Sequence, residues 1–212
     1  MELIKIKRIL TGIVFIMIIS SLWISENTND AFAFDKEYSG RVIDADTKEP
    51  IEGAIIVFAW YKEKATIAGP SQSLHDVKEA LTDKDGRWRI EGPKGNCRDL
   101  LPGLLQLMGI ACIEEQPEII IFKPGYCAWK NGFVLKACQK MKYSESDNGE
   151  GTFELPKLTN KEDRLRNVGI GTINDGKEVE KKQKEFIRLL SEEMVNLGLK
   201  PLSILKELEN EK

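Results

Sequence analysis

The chain has 212 residues, of which 42% are hydrophobic and 31% are charged, and its net charge is −3 at pH 7. The apolar fraction is large enough to form a core, which excludes a disordered polymer. The acidic balance argues against a nucleic-acid binder, because such a protein needs a basic face to neutralise phosphates. His75 is the one histidine, so sites that need two imidazoles, including most catalytic zinc centres, are excluded. We therefore expect no metal, no cofactor and no catalytic residues.

Residues 1–33 have the pattern of a secretory signal peptide. Basic residues lie within positions 1–8, positions 9–25 carry no charge, and Ala31-Phe32-Ala33 places small residues where a signal peptidase reads them. The uncharged stretch is shorter than the ~20 residues that cross a bilayer as a helix. We therefore expect cleavage after Ala33 and export to the periplasm or the cell exterior. The alternative is that the segment is retained as a membrane anchor.

Residues 34–156 have the pattern of short strands separated by turns. Positions 38–44 alternate between polar and apolar residues, as a strand with one buried face does. Positions 54–61 are continuously apolar, which fits a strand covered on both sides or a buried helix, and the short β-branched run favours the strand. The other predicted strands are residues 77–82, 87–91, 118–123, about 132–135 and 151–155.

The dipeptide Asp85-Gly86 predicts a tight hairpin turn, because glycine supplies the positive φ that such a turn requires. Beyond it, Trp88 and Ile90 share one face of a strand. Asp83 and Asp85 resemble part of a calcium loop, but the further acidic ligands of such a loop are missing, so a plain turn is favoured. Because no helical crossover separates consecutive strands, we predict a mainly β protein with a sandwich of about seven strands.

Four motifs occur in order along this region: Gly40-Arg41-Val42-Ile43-Asp44, Pro50-Ile51-Glu52-Gly53-Ala54, Thr82-Asp83-Lys84-Asp85-Gly86 followed by Trp88 and Ile90, and Lys123-Pro124-Gly125-Tyr126. Together they resemble the carboxypeptidase regulatory-like domain, a transthyretin-like (prealbumin-type) β-sandwich. The match covers about residues 38–126, and Pro124 stands where the last motif is variable. The resemblance implies a domain over residues 34–156 with an insertion at about 92–117. It also implies a binding or structural role, because the chain offers no zinc ligands for a fused peptidase.

The chain has four cysteines, all in the part predicted to be exported: Cys97, Cys112, Cys127 and Cys138. An even number in an oxidising compartment indicates two disulfides, for which three pairings are possible. The spacing lacks the C-x-x-C pattern of structural zinc sites. We expect Cys97–Cys112 first, because this bond would close the insertion.

An unusually apolar segment, residues 100–110, lies between the first two cysteines. If it is exposed, it is the best surface for a partner in the chain. The alternative is a short helix that folds over the open side of the sandwich. The residues of this possible partner surface are Leu101, Leu104, Leu105, Leu107 and Met108.

Residues 157–212 are predicted to form a helical C-terminal extension. Thr159 and Glu162 make a capping box for a first helix, and apolar residues recur at helical spacing over 177–197. Gly198 ends that helix, and a last one is predicted over about 202–209. The apolar stripe either packs on the sandwich or binds a partner, and its modest width favours packing.

The sequence predicts a secreted, non-catalytic β-sandwich module that acts in protein interaction or as an envelope component. Its partner is an unknown protein or glycan, and membrane contact is expected only if the first segment is retained. The alternative function is carbohydrate binding, because related sandwiches bind starch-like sugars. Aromatic rings complement sugar faces, although the same rings serve equally as core residues. The candidates for stacking are Trp60, Tyr61, Tyr126 and Trp129.

Cleavage of the first segment is directly measurable. We expect the intact mass of the exported protein to correspond to a chain that begins at Phe34, because signal peptidase cuts after the A-x-A sequence. An exported protein with the mass of the full chain would instead establish the membrane-anchored alternative.

Overall fold

The computed structural model describes residues 37–66, 69–93, 112–113, 117–130, 132, 135–146 and 150–210. Within these ranges the protein contains nine strands and four α-helices. The strands are β1 (Glu37–Asp44), β2 (Ile55–Thr66), β3 (Gly69–Leu81), β4 (Arg87–Glu91), β5 (Cys112–Ile113), β6 (Glu118–Phe122), β7 (Trp129–Lys130), β8 (Lys142–Glu145) and β9 (Gly151–Leu155). The helices are α1 (Lys161–Asn167), α2 (Lys177–Lys181), α3 (Lys184–Asn196) and α4 (Ser203–Asn210).

The strands form two sheets, as the mainly β prediction requires. Sheet A has the order β4–β1–β9–β8, in which β1 and β9 run parallel and the other pairs are antiparallel. Sheet B has the order β3–β2–β6–β7 with antiparallel pairs throughout, and β5 adds two residues beside β2. Each sheet therefore has two end strands: β4 and β8 in sheet A, and β3 and β7 in sheet B.

The first half of strand β2, residues 55–60, is buried on both faces, which confirms the strand interpretation of its continuous apolar run. Alternate residues point to opposite sides of a strand. One set of β2 side chains, including Phe58 and Trp60, packs against sheet A. The other set, including Ile55 and Val57, packs against the C-terminal helices. The protein therefore has three layers, with sheet B in the middle.

The helical layer is joined to sheet B by apolar contact and by a few buried polar groups. Phe186 of α3 is fully buried, and its ring meets Phe122 of β6 edge-on at 5.9 Å between centroids. Helix α3 has no side-chain cap of its own. Instead, Glu79 of β3 accepts the backbone N–H groups of Glu185 and Phe186 at 2.8 and 3.0 Å. This satisfies two donors that a helix N-terminus leaves without partners.

A buried ion pair holds α1 against α3. The Nε and Nη2 atoms of Arg164 donate to the two carboxylate oxygens of Glu193, each at 2.7 Å. Glu193 also accepts the backbone N–H of Gly125 at 3.3 Å, which links both helices to the turn after β6. Asn167 is buried as well, and it donates to the Tyr126 carbonyl and accepts from the Ala128 amide. These bonds position the chain that enters β7.

Three local predictions differ from the structure. The cap of α1 is Asn160 rather than Thr159, since its side-chain oxygen accepts the N–H of Glu162 at 2.8 Å. Residues 177–197 form two helices instead of one, with the break at Gln183. The Gln183 side chain hydrogen-bonds the backbone of Ile173. In the strand expected at about 132–135, Gly132 instead stands in a turn with φ 79°, residues 133–134 lie outside the described ranges, and the strand next to it is Trp129–Lys130.

The predicted hairpin turn and the first motifs meet at one end of the sandwich. Thr82 donates its hydroxyl to the Ile51 carbonyl at 2.7 Å and accepts the Ala54 amide at 2.8 Å. Gly86 has φ 72°, and a Cβ atom at this position would lie 2.4 Å from the Val42 carbonyl oxygen. Any side chain at Gly86 would therefore strain the turn and separate it from β1.

The helical layer is expected to be an integral part of the fold. Phe186→Ala should lower the free energy of unfolding by about 3–5 kcal/mol, because it leaves a cavity against sheet B. Val195→Ala on the same helix is the control, since Val195 is 53% exposed and its truncation should cost less than about 0.5 kcal/mol. Urea denaturation of both variants measures the difference. Equal effects would show that the helices are not required for the folded state.

Candidate ligand-binding surface

The four aromatic residues predicted for sugar stacking do not share one face. Trp60 is 1% exposed and packs between the two sheets, so no ligand reaches its ring. Tyr61 lies on the helical side of β2, and its hydroxyl donates to a glutamate of β6. The half-buried Tyr126 hydrogen-bonds the carboxylate of Asp44 through its hydroxyl. Trp129, half-buried at the end of sheet B, is the candidate that lies beside an exposed ring, that of Tyr143.

This surface lies at the open edge of the sandwich where β7 and β8 end the two sheets. The rings of Trp129 and Tyr143 are 6.4 Å apart between centroids. Phe153 of β9 is buried beside both, at 5.1 Å from Trp129 and 4.8 Å from Tyr143. We call these three residues the aromatic edge.

The ring of Tyr143 is both exposed and held in place. The residue is 48% exposed, yet its side chain crosses over Gly151 of β9, where a Cβ atom would lie 2.8 Å from Tyr143 Cε2. The ring therefore lies against the Gly151 backbone with Phe153 packed beside it, and about half of the residue stays exposed among the described residues. Because the ring is already ordered, a ligand that stacks on it does not have to immobilise a side chain.

Polar groups flank this ring. The Tyr143 hydroxyl donates to Glu145 Oε2 at 3.4 Å. Burial raises the pKa of Tyr143, and the Glu145 carboxylate raises it further, so the phenol stays neutral over the physiological range. A carboxylate beside an aromatic ring accepts hydrogen bonds from hydroxyl groups and repels anions. The edge therefore suits a neutral ligand that is rich in hydroxyls.

Sequence reasoning missed Tyr143 because it missed β8. All four residues of β8 are exposed, and apart from the tyrosine they are polar, so no alternation of apolar residues marks the strand. The pairing of Tyr143 with Phe153 across the strands also depends on residues distant in sequence. The available signal was a lone aromatic residue in a charged and polar stretch.

A disulfide lies next to the aromatic edge. Cys127 and Cys138 are bonded, with their Cα atoms 5.7 Å apart, and both are buried with Leu158. One disulfide among the four cysteines agrees with the prediction of a bonded set. The two remaining cysteines are Cys97 and Cys112, and the bond between them stays a prediction. Cys97 and the apolar segment from Leu101 to Met108 lie outside the described residues.

A second surface is the hairpin formed by the outer parts of β2 and β3. Six residue pairs, from Tyr61↔Leu74 to Thr66↔Gly69, continue beyond the last contact of β2 with β6 at Ala59. We call these pairs the hairpin arm, which extends about 20 Å at ~3.3 Å per residue. The short strand β5 pairs with its base at Lys62 and Glu63.

His75 lies where the hairpin arm leaves the sheet. The register shifts between Trp60 and Tyr61, so that His75 is the extra residue of a β-bulge. Burial lowers the pKa of this imidazole, and the nearby charges of Lys62 and Lys182 lower it further. His75 therefore belongs to a bend in the sheet. Within the described ranges, no group of three or more His, Cys, Asp or Glu side chains is placed to hold a metal ion.

Comparisons with known proteins do not assign the chain to a family. No protein-family model matches it, and no curated protein matches it. A crystal structure of a 9R-lipoxygenase from Cyanothece PCC8801 is similar over 89% of this chain and 30% of the lipoxygenase chain, at 10% identity and a TM-score of 0.23. This chain therefore spans less than a third of that lipoxygenase, and a similarity this low carries no argument about fold or function.

None of the helices in the described part of the chain has the length and apolar character of a membrane span. Residues 1–33 lie outside that part. The signal peptide and the anchor that was its alternative both stay predictions.

Asp44 explains why Tyr126 is not available for stacking. Asp44 closes the turn after β1 by accepting the amides of Asp46 and Thr47 at 2.8 and 3.0 Å. Burial acts to raise the pKa of this carboxyl, but hydrogen bonds from Thr47, Asp46 and the Tyr126 hydroxyl outweigh it and hold the pKa below its ordinary value. The Tyr126 ring is therefore part of a structural turn.

The lowered pKa of Asp44 predicts a pH-dependent contribution to stability. Asp44→Asn should lower the free energy of unfolding by about 1–3 kcal/mol at pH 7. The ionised carboxylate stabilises the fold above the unfolded-state pKa of ~3.9, and this contribution is lost as pH falls through the lower folded-state pKa. Urea denaturation between pH 7 and pH 3 should therefore show the difference shrinking at the acid end.

Asp46→Asn is the control, because Asp46 is exposed and its ion pair with Lys140 lies on the surface. Such pairs contribute less than about 1 kcal/mol. A difference for Asp44→Asn that stays constant down to pH 3 would contradict the assigned role.

Proposed function

We propose that this protein is an exported, non-catalytic binding module that holds its ligand on the aromatic edge. The observation that carries the proposal is the Tyr143 ring, which is nearly half exposed yet fixed against Gly151 and Phe153. Exposed apolar area costs about 25 cal/mol per Å², and a ligand that covers the ring recovers this free energy. An ordered ring on a sheet edge is therefore a favourable place for a flat apolar surface to bind.

Carbohydrate is the ligand class that this edge supports best. Sugar rings combine an apolar face, which stacks on an aromatic ring, with hydroxyl groups around the rim. Tyr143 and Trp129 supply two rings at an angle of 49°, and Glu145 supplies a hydrogen-bond acceptor next to them. Because that carboxylate repels anions, the proposed ligand is a neutral glycan.

The cysteine pair supports the exported location. Cys127–Cys138 is a buried disulfide, and such bonds persist in oxidising compartments outside the cytoplasm. The predicted signal peptide gives the same location. The form in which residues 1–33 remain as an anchor is the alternative, with the same module held at the membrane.

The buried polar side chains support a non-catalytic role. Asp44, Asn167, Gln183 and Glu193 each hydrogen-bond backbone groups of turns or loops. Their hydrogen-bonding capacity is used within the fold, which leaves these groups to position elements rather than to react.

The arrangement of the four sequence motifs supports membership in the carboxypeptidase regulatory-like family with its transthyretin-like fold. Thr82 of the third motif bonds Ile51 and Ala54 of the second. The Gly86 carbonyl accepts the amide of Val42 from the first motif at 2.8 Å, and Lys123 of the fourth donates to the Glu52 carbonyl. The motifs therefore form one connected turn region, as members of one structural unit would.

A second candidate function is protein interaction or assembly into the cell envelope through the hairpin arm. The arm projects beyond the contact between β2 and β6, and hairpins without a covering layer are marginally stable in water. A partner protein that covers the arm would stabilise it.

Replacement of Tyr143 tests the carbohydrate proposal. On a glycan array, the wild-type protein should bind a neutral glycan, and Tyr143→Ala should weaken binding about tenfold or more through loss of the stacked ring. Tyr143→Phe keeps the ring and should retain most of the affinity. Gly151→Ala should weaken binding as well, because the new methyl group displaces the ring without removing it.

Leu199→Ala is a matched control, since Leu199 is an exposed apolar residue beyond α3 in the helical layer. If the wild-type protein binds no glycan on the array, or if Tyr143→Ala binds the same glycan equally well, the assignment of carbohydrate to the aromatic edge is refuted. A purified protein ligand that binds Tyr143→Ala normally and is lost when the hairpin arm is shortened would establish the second candidate.

A further inference from the structure

The aromatic edge is built from the end strands of two sheets, and a backbone bridge beside it, Tyr126↔Lys157, links the segment before β7 to the segment after β9. Strand β7 ends sheet B and β8 ends sheet A, so the contact between Trp129 and Tyr143 crosses the gap between the sheets. Strand β7 is only two residues long, and its backbone pairs with β6 at Ile120↔Lys130 and Ile121↔Trp129. Sheet pairing alone therefore gives Trp129 little restraint.

The Cys127–Cys138 disulfide joins the segment that enters β7 to the segment that leads to β8. Cys127 lies two residues before Trp129, and Cys138 lies at the end of the 3₁₀ turn Lys136–Cys138 that leads towards β8 and Tyr143. Both cysteines are buried, and Leu158, Leu135 and Met141 pack around them. The bond therefore joins the two segments that carry Trp129 and Tyr143.

The opposite edge of the sandwich shows why a cross-link is needed here. There, β3 and β4 are connected directly by the tight turn at Asp83–Gly86, in which Asp83 Oδ1 accepts the amides of Asp85 and Arg87. The chain itself keeps those two edges together. The chain between β7 and β8 is longer, and the disulfide adds a covalent link between the segments that precede these two strands.

We propose that the Cys127–Cys138 disulfide is a positioning clamp that assembles the aromatic edge before a ligand arrives. It restricts Trp129 and Tyr143 to one arrangement, while the two main cores are held by other contacts. This inference rests on the proposed function for its role in binding, but the positioning of Trp129 is measurable without any ligand. Removal of the clamp should open the edge and leave the layered fold intact.

Trp129 offers a direct measurement of the clamp. Trp60 and Trp88 are 1% and 7% exposed, so quenching of tryptophan fluorescence by acrylamide reports chiefly on Trp129 in the exported protein. Subtracting the signal of the matching Trp129→Phe variant isolates its contribution. In the double variant Cys127→Ala/Cys138→Ala, quenching of Trp129 should rise about twofold or more as local order is lost. Far-UV circular dichroism should remain that of the wild type.

Two controls separate positioning from general stability. Leu190→Ala lowers stability through the core between sheet B and the helices, to which the Trp129 ring does not belong, and should leave the quenching of Trp129 unchanged. If the double cysteine variant does not fold, Cys97→Ala/Cys112→Ala protein treated with dithiothreitol under native conditions gives the same comparison, since it holds one reducible bond.

Affinity for the neutral glycan found on the array is the second measurement. The clamp variant should bind about tenfold more weakly, and Tyr143→Ala should add little in that background, because both changes remove the same platform. Unchanged quenching of Trp129 in the folded clamp variant would overturn the inference. Increased quenching in a protein that binds no glycan would uphold the clamp and refute the proposed function.

Discussion

Two-sided burial of β2 is the constraint on which the rest of the structure depends. A strand with apolar residues at every position must be covered on both faces, and one sheet covers only one of them. Sheet A covers the side of Phe58 and Trp60, and the C-terminal helices cover the side of Ile55 and Val57. The helical segment is therefore the third layer of the fold, and its apolar stripe is already occupied.

This layering covers both faces of sheet B. Surface remains available on the outer face of sheet A, where Arg87 and Arg89 are exposed, and on end strands, turns and the hairpin arm. One pair of end strands is closed by the turn after β3 and the other by the Cys127–Cys138 disulfide. The aromatic edge lies beside this disulfide, where the ring of Tyr143 packs against Gly151.

Local elements were largely predictable from the sequence, whereas the candidate site was only partly so. The continuous apolar run of β2, the Asp-Gly turn and the helix stop at Gly198 depend on neighbouring residues, and the structure confirms all three. Trp129 was one of the four candidates and lies beside Tyr143, which was missed; a role of either ring in binding stays a prediction. Strand β8 consists of exposed residues, and its pairing with β9 leaves no periodic pattern.

The sequence by itself determined the features that depend on neighbouring residues: the strand periodicity, the tight turn and the helix end. The even number of cysteines was likewise evident from it. Only the tertiary structure decided which aromatic rings face solvent, because exposure depends on layers contributed by distant segments. Trp60 and Tyr143 are both aromatic residues on strands, yet one lies between two sheets and the other on the exposed end strand of one sheet. The continuous apolar run around Trp60 predicts cover on both faces, but nothing in the polar residues around Tyr143 shows that its ring packs against Gly151 and Phe153, which lie elsewhere in the chain.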